Sequence, residues 1–190
     1  MSKINEIIIL ENAASIYALD GIQHFSIRNL AKRISITPSV IYHYFKDEEA
    51  LLKAMFDYLN IQLGQKRALL PKVNNAEKMM KQRIAFQLDN AESIVAVLKY
   101  YLANRQKFPK NKSGFVPDKS ARHIEEVLQY GRDRKEFLFG NLADEAKVIT
   151  HAINGFLLEY YPYKPERKEK TQLINRINKF LMKALKGGDK

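Results

Sequence analysis

Residues 26–44, SIRNLAKRISITPSVIYHY, constrain this chain more than any other stretch. Ile27, Leu30, Ala31 and Ile34 recur at i, i+3, i+4 and i+7, which is one face of a short helix, and Ser26 is a good N-cap for it. Arg28, Lys32 and Arg33 fall off that stripe. After a turn of Ser35, Ile36 and Thr37, a second short helix opens with Thr37 as its cap and Pro38 at its first position, where proline is preferred. On a wheel of about 100° per residue, Pro38, Ser39, Tyr42 and His43 share an outward arc of roughly 140°. Ile41, with Val40 and part of Tyr44, faces inward. Tyr42, His43 and Tyr44 are consecutive and cannot all enter one core, so the outward rings need another partner.

Two short helices joined this tightly make a helix-turn-helix, and although tight helix pairs with aromatics also occur in many proteins that bind no DNA, the DNA-binding reading puts the second helix in the major groove. Tyr42 and His43 then donate to phosphate oxygens and stack on sugars. Ser39 and Pro38 are small enough to let the helix approach base edges, with Pro38 against a thymine methyl, while Thr37 and Lys46 flank it as phosphate contacts.

Charge has to be read locally. The net charge of +11 is not carried by this region: residues 1–50 hold five basic and six acidic side chains. From Gly21 to Lys46, however, there are four basic residues and no acid, the compact patch that a phosphate backbone requires. The excess positive charge lies in residues 51–190, where it weakly favours an anionic ligand.

Along the rest of the chain, apolar residues recur at three and four and strand signals are nearly absent, so the fold class is all-α. Helices are expected at about 3–19, 47–70, 75–90, 92–107, 118–136, 142–160 and 166–186, with Asp20-Gly21, Pro71, 109–117 and 162–165 between them. Together with the two short helices this makes about nine. Only 109–117 reads as a mobile loop. Asp47, Glu48 and Glu49 place negative charge at the start of the 47–70 helix.

From Ile9 to Leu52 the chain resembles, without a gap, the N-terminal domain of the TetR (tetracycline-repressor) family of bacterial regulators. The resemblance rests on ILENAASIYALDG (9–21) and on FSIRNLAKRISITPSVIYHYFKDEEALL (25–52), of which IYHYFKDEEALL is the most specific part. It implies a three-helix DNA-binding head, residues 1–46, and a ligand-binding and dimerisation domain, 47–190. The expected DNA-contacting set is Ser26, Arg28, Thr37, Pro38, Ser39, Tyr42, His43, Tyr44 and Lys46. Three positions depart from the family pattern. The glycine usual after the second helix is Ser35, implying a serine at positive φ. A frequent phosphate-contacting Thr is Val40, and the small Gly near the start of the recognition helix is Ser39.

In the family the last two long helices build the dimer's four-helix bundle. The 142–160 helix carries a seam of Ile149, Ile153 and Phe156 with Ala152 and Gly155 beside it, and the 166–186 helix carries Ile177, Phe180 and Leu181. These are the expected homodimer residues, since a mid-helix glycine costs about 1 kcal/mol and close helix approach would explain it. Basic residues off that face of the last helix could instead suit a membrane, but packing in a bundle is favoured. The aromatic and aliphatic residues of the middle helices, among them Phe86, Tyr100, Tyr101, Phe115 and Tyr130, read as ordinary core, and no residue set marks an effector pocket.

The function implied is a dimeric, ligand-responsive regulator, a repressor acting on a palindromic double-stranded operator, with the 47–70 helix as its lever and only continuous link. A constitutive or architectural DNA-binding protein would instead have a filled C-terminal core. A helical enzyme retaining a DNA-binding head would need converging polar groups there. No nucleophile elbow, phosphate loop or paired-carboxylate pattern supports catalysis. His123 and Glu126, at i and i+3, lack further metal ligands, so no metal or cofactor is expected. The chain has no cysteine, no signal-peptide pattern and no run near the roughly 18 apolar residues of a membrane span, so a cytoplasmic protein without a membrane partner is expected.

Overall fold

The computed structural model describes residues 5–108, 118–163 and 165–186. The 109–117 stretch and Phe115 within it lie outside the described residues. Among the described residues the chain is all-helical, with nine α-helices and two 3-10 turns. The helices are α1 (Glu6–Asp20), α2 (Ile27–Arg33), α3 (Pro38–Tyr44), α4 (Glu48–Ala68), α5 (Ala76–Asp89), α6 (Ala91–Ala103), α7 (Asp118–Asp133), α8 (Leu142–Tyr160) and α9 (Arg167–Leu185).

They fall into two compact units. The first comprises residues 1–69 and 92–109, the second 70–91 and 110–190. The expectation that the 47–70 helix is the only continuous link is therefore corrected. α4 lies wholly within the first unit, and the chain passes between the units three times, because α6 folds with the head rather than with its sequence neighbours.

The caps of the first unit explain where its helices begin. Asn5 accepts from the Ile8 N–H at 3.0 Å, Ser26 from Asn29 at 3.1 Å and Asp47 from Ala50 at 2.8 Å, each satisfying an N–H that its helix cannot. The core of the unit joins Ile9, Ala13 and Tyr17 of α1, Leu30 of α2, Ile41 of α3 and Leu51 and Met55 of α4, all fully or almost fully buried. An aromatic cluster adjoins it. Phe56 of α4 lies 4.9 Å from Tyr100 of α6, centroid to centroid, and 5.4 Å from Phe108. Burial, with smaller contributions from Tyr100 and Glu48, pushes the Tyr17 phenol up to about 12.

In the second unit, α7 packs on α8 and α5 on both α7 and α9. Lys170 pairs with Asp89 and Lys186 with Glu77, each at 2.6 Å, one at either end of the α5–α9 pair. Four residues expected at a dimer interface, Ile149, Ile153, Ile177 and Leu181, are buried in this unit's own core. Their stripes face the neighbouring helices of the same chain. Phe156 and Phe180, one helical step to the side, are 45% and 72% exposed, and Ala152 and Gly155 are exposed with them.

The α7 helix ends at Asp133, short of the expected 136. The chain reverses at Lys135, whose φ is 58°, and the Gly131 carbonyl accepts from the Glu136 N–H at 2.8 Å. The reversal lays the Phe137 ring, 1% exposed, directly on Gly131, where a Cβ would fall within 2.7 Å of the ring's Cγ. Gly131→Ala should therefore destabilise the protein by about 1–3 kcal/mol, the range for overpacking a filled core. Thermal unfolding checks this, and an unchanged midpoint would show that the ring yields without cost.

Candidate nucleic-acid interface

The α2–α3 pair is held from beneath and bare above. On its inner side Leu30 and Ile41 are fully buried and Phe45 nearly so. Phe45, the residue after α3, was missed as core. It stands four positions after Ile41, on the same face, and that spacing was the available signal. On the outer side Tyr42 is 53% and Tyr44 41% exposed, and Thr37, Ser39, His43 and Lys46 are exposed. Pro38 and Val40 are half-buried at the margin. Tyr44 is more exposed than the wheel implies, because it is the last residue of α3 and no further turn covers it. Its ring meets His43 edge-on, with centroids 5.4 Å apart.

The turn between the helices is built as the departure at residue 35 implies. Ser35 has φ of 55°, in the left-handed region that disfavours a Cβ. Its geometry closes the turn: the Ser35 N–H donates to Lys32 O at 3.3 Å and the Ile36 N–H to Ala31 O at 2.9 Å.

One polar assignment changes. Thr37 occupies the cap position of α3, but its hydroxyl makes no capping bond; it hydrogen-bonds to the Ser39 hydroxyl at 2.7 Å instead. The two hydroxyls thus form one small polar unit at the exposed tip of the helix. Ser26, half-buried, accepts from Asn29 as the cap of α2, leaving its hydroxyl proton as the group able to reach a phosphate. Among the basic residues, Arg33 is exposed but engaged, its Nη2 donating to Ser15 Oγ on α1 at 3.1 Å. Arg28, Lys32 and Lys46 are exposed. No metal-binding group of three or more His, Asp or Glu side chains occurs among the described residues. Glu126 is approached by His123 at 3.4 Å and by Arg83 at 3.6 Å.

A buried helix pair presenting hydroxyls, aromatic rings and cations on one outer surface can take phosphates along its edges and base edges at its tip. This fold and surface are those of a helix-turn-helix. Residues 9–55 match the family described as bacterial regulatory proteins, tetR family. The chain also shares its fold with solved regulators. One is PfmR of Thermus thermophilus, a TetR-family transcriptional regulator, with 17% identity over 92% of this chain and 97% of that one and a TM-score of 0.68. Another is the fatty acid degradation regulator FadR of Bacillus halodurans, with 14% identity over 96% of both chains and a TM-score of 0.68. A Saccharomonospora viridis protein solved in complex with choline is similar in the same way, at 14% identity over 95% and 96% and a TM-score of 0.68. No curated protein matches in sequence. The head therefore belongs to the tetR family, and the chain as a whole has the TetR-regulator fold.

Ser35→Gly should stabilise the protein by up to about 1 kcal/mol, because glycine adopts the left-handed conformation without the Cβ penalty. A lower unfolding midpoint in the variant would show that the serine side chain stabilises the turn by more than its strain costs.

Proposed function

We propose that the chain is a ligand-responsive transcriptional repressor that binds a palindromic operator as a homodimer, with DNA contacts in residues 1–46 and effector binding and dimerisation in 47–190. The observation that carries the DNA-binding part is the outer surface of α3: Tyr42, His43 and the Thr37–Ser39 hydroxyl pair stand exposed over a sealed apolar base. Arg28, Lys46 and the Ser26 hydroxyl flank them as phosphate contacts, and Pro38 and Tyr44 complete the surface. Such a protein acts where the chromosome lies, in the cytoplasm, and the proposal assigns it no catalysis, cofactor or metal. It places two α3 helices in successive major grooves, about 34–36 Å apart.

The dimer rests on a second surface. Along α8, Val148 is 64% exposed and Ala152, Gly155 and Phe156 continue the same side; on α9, Phe180 is 72% exposed. An apolar stripe of this kind, rimmed by polar residues, fits a second copy of the chain. Effector binding is supported by the choline-bound protein of the same fold. An effector binding the two dimer spacings differently would alter operator affinity, with a coupling typically of about 1–3 kcal/mol.

Two substitutions test these parts separately. Lys46→Ala should weaken binding to all duplexes alike and lower the slope of log affinity against log salt by about 1; an unaltered slope would remove Lys46 from the phosphate contacts. Gly155→Leu should be harmless within the protomer, since a Cβ there meets nothing within 4 Å and leucine favours a helix. It should nonetheless shift the protein toward monomer and lower operator affinity steeply, as the two half-sites lose their effective concentration. Light scattering decides the point: a dimer of undiminished stability places the interface elsewhere.

A further inference from the structure

The first unit contains a segment that the family match does not reach. α1 ends at Gly21, with φ of 71°, whose N–H donates to Tyr17 O at 2.9 Å. The next two carbonyls, of Ala18 and Leu19, belong to the negative end of the helix dipole, yet the last turn of α1 has no basic residue and contains Asp20. Both carbonyls accept from one ammonium far along the chain: Lys99 Nζ on α6, at 2.6 Å and 2.9 Å. Burial lowers the Lys99 pKa, with Asp20 acting in the opposite sense. The adjoining Tyr100 ring lies 6.3 Å from Tyr17 and 4.9 Å from Phe56, so α6 grips the end of α1 through a polar and an apolar contact at consecutive residues. Phe25, where the chain enters α2, also meets the Tyr17 ring, with centroids 5.9 Å apart. Lys107, beyond the end of α6, pairs with Glu49 in the first turn of α4 at 2.6 Å.

We propose that Lys99 is a positioning residue for DNA binding: by tying the carbonyl end of α1 to α6, it fixes the angle at which the 21–25 turn delivers α2 and α3 to the groove. The proposal rests on the DNA-binding reading above and adds to it a residue outside the matched 9–55 segment. Lys99 touches no base or phosphate in this scheme. It acts through the path from Ala18 and Leu19 to Phe25 and Ser26, and losing it spreads the head over orientations of which only some can dock.

The test uses the full chain and duplex DNA recovered by the wild-type protein from a random-sequence pool. Lys99→Met keeps most of the stem and removes the three N–H donors. Its affinity is expected to fall about fivefold to tenfold, as the fraction of the protein in the docking orientation falls by the same factor. The salt slope should stay at the wild-type value, and Lys99→Arg, which can donate to both carbonyls, should recover most of the loss. Unaltered affinity with a lower unfolding midpoint would make Lys99 a structural residue only and overturn the proposal. So would a salt slope lowered by about 1, which marks a direct phosphate contact. If Lys99→Met does not fold, Lys99→Gln, which retains an amide donor, is measured for the same outcomes. A wild-type protein that recovers no duplex sinks the DNA-binding reading itself, and this proposal with it.

Discussion

A helix of seven residues cannot hold itself together in water, because its nucleation cost is not recovered over so few hydrogen bonds. The reading surface of this protein consists of two such helices, α2 and α3. Both exist only because Leu30, Ala31, Ile41 and Phe45 are removed from water within the first unit's core. Fully burying one such side chain is worth about 1.5–3 kcal/mol, so a few of them outweigh the cost of ordering two short turns of chain. This dependence explains the division of labour along α3. Ile41 and Phe45, four residues apart, hold the helix, and the residues between and before them are released to face outward.

The same reasoning shows why the head was legible in the sequence. Its signals are local: Ser26 caps as expected, Pro38 opens α3, the acidic run from Asp47 marks the start of α4, and the i, i+3, i+4 stripe of α2 faces the core. Even the strain at Ser35 could be anticipated, because the resemblance places a glycine at that position. Thr37 shows the limit of such reading. Its position is that of a cap, but a second hydroxyl two residues away competes for its side chain, and sequence does not rank two bonds of similar strength. Arg33 is a comparable case, a cation in a basic patch that bonds to Ser15, eighteen residues earlier.

The C-terminal helices were legible as elements but not as faces. Every long helix was found, yet Ile149 and Ile153 serve their own chain while Phe156 and Phe180 stand outside. On an amphipathic helix with apolar residues over a wide arc, periodicity locates the arc. It does not say which edge meets the chain's own neighbours and which remains uncovered. Gly131 carries a similar lesson, since the ring that excludes a side chain there arrives by a chain reversal at Lys135 that no local pattern announced.

The first unit is assembled from two stretches of chain with the second unit's α5 between them in sequence. No single proteolytic cut can therefore release it whole. A fragment ending at residue 69 would keep the recognition surface but lack Tyr100 and Phe108, the partners of Phe56, and would expose that aromatic face to water. Domain swapping and fragment design meet the same obstacle, since a transplanted head would need α6 spliced on by a linker of its own.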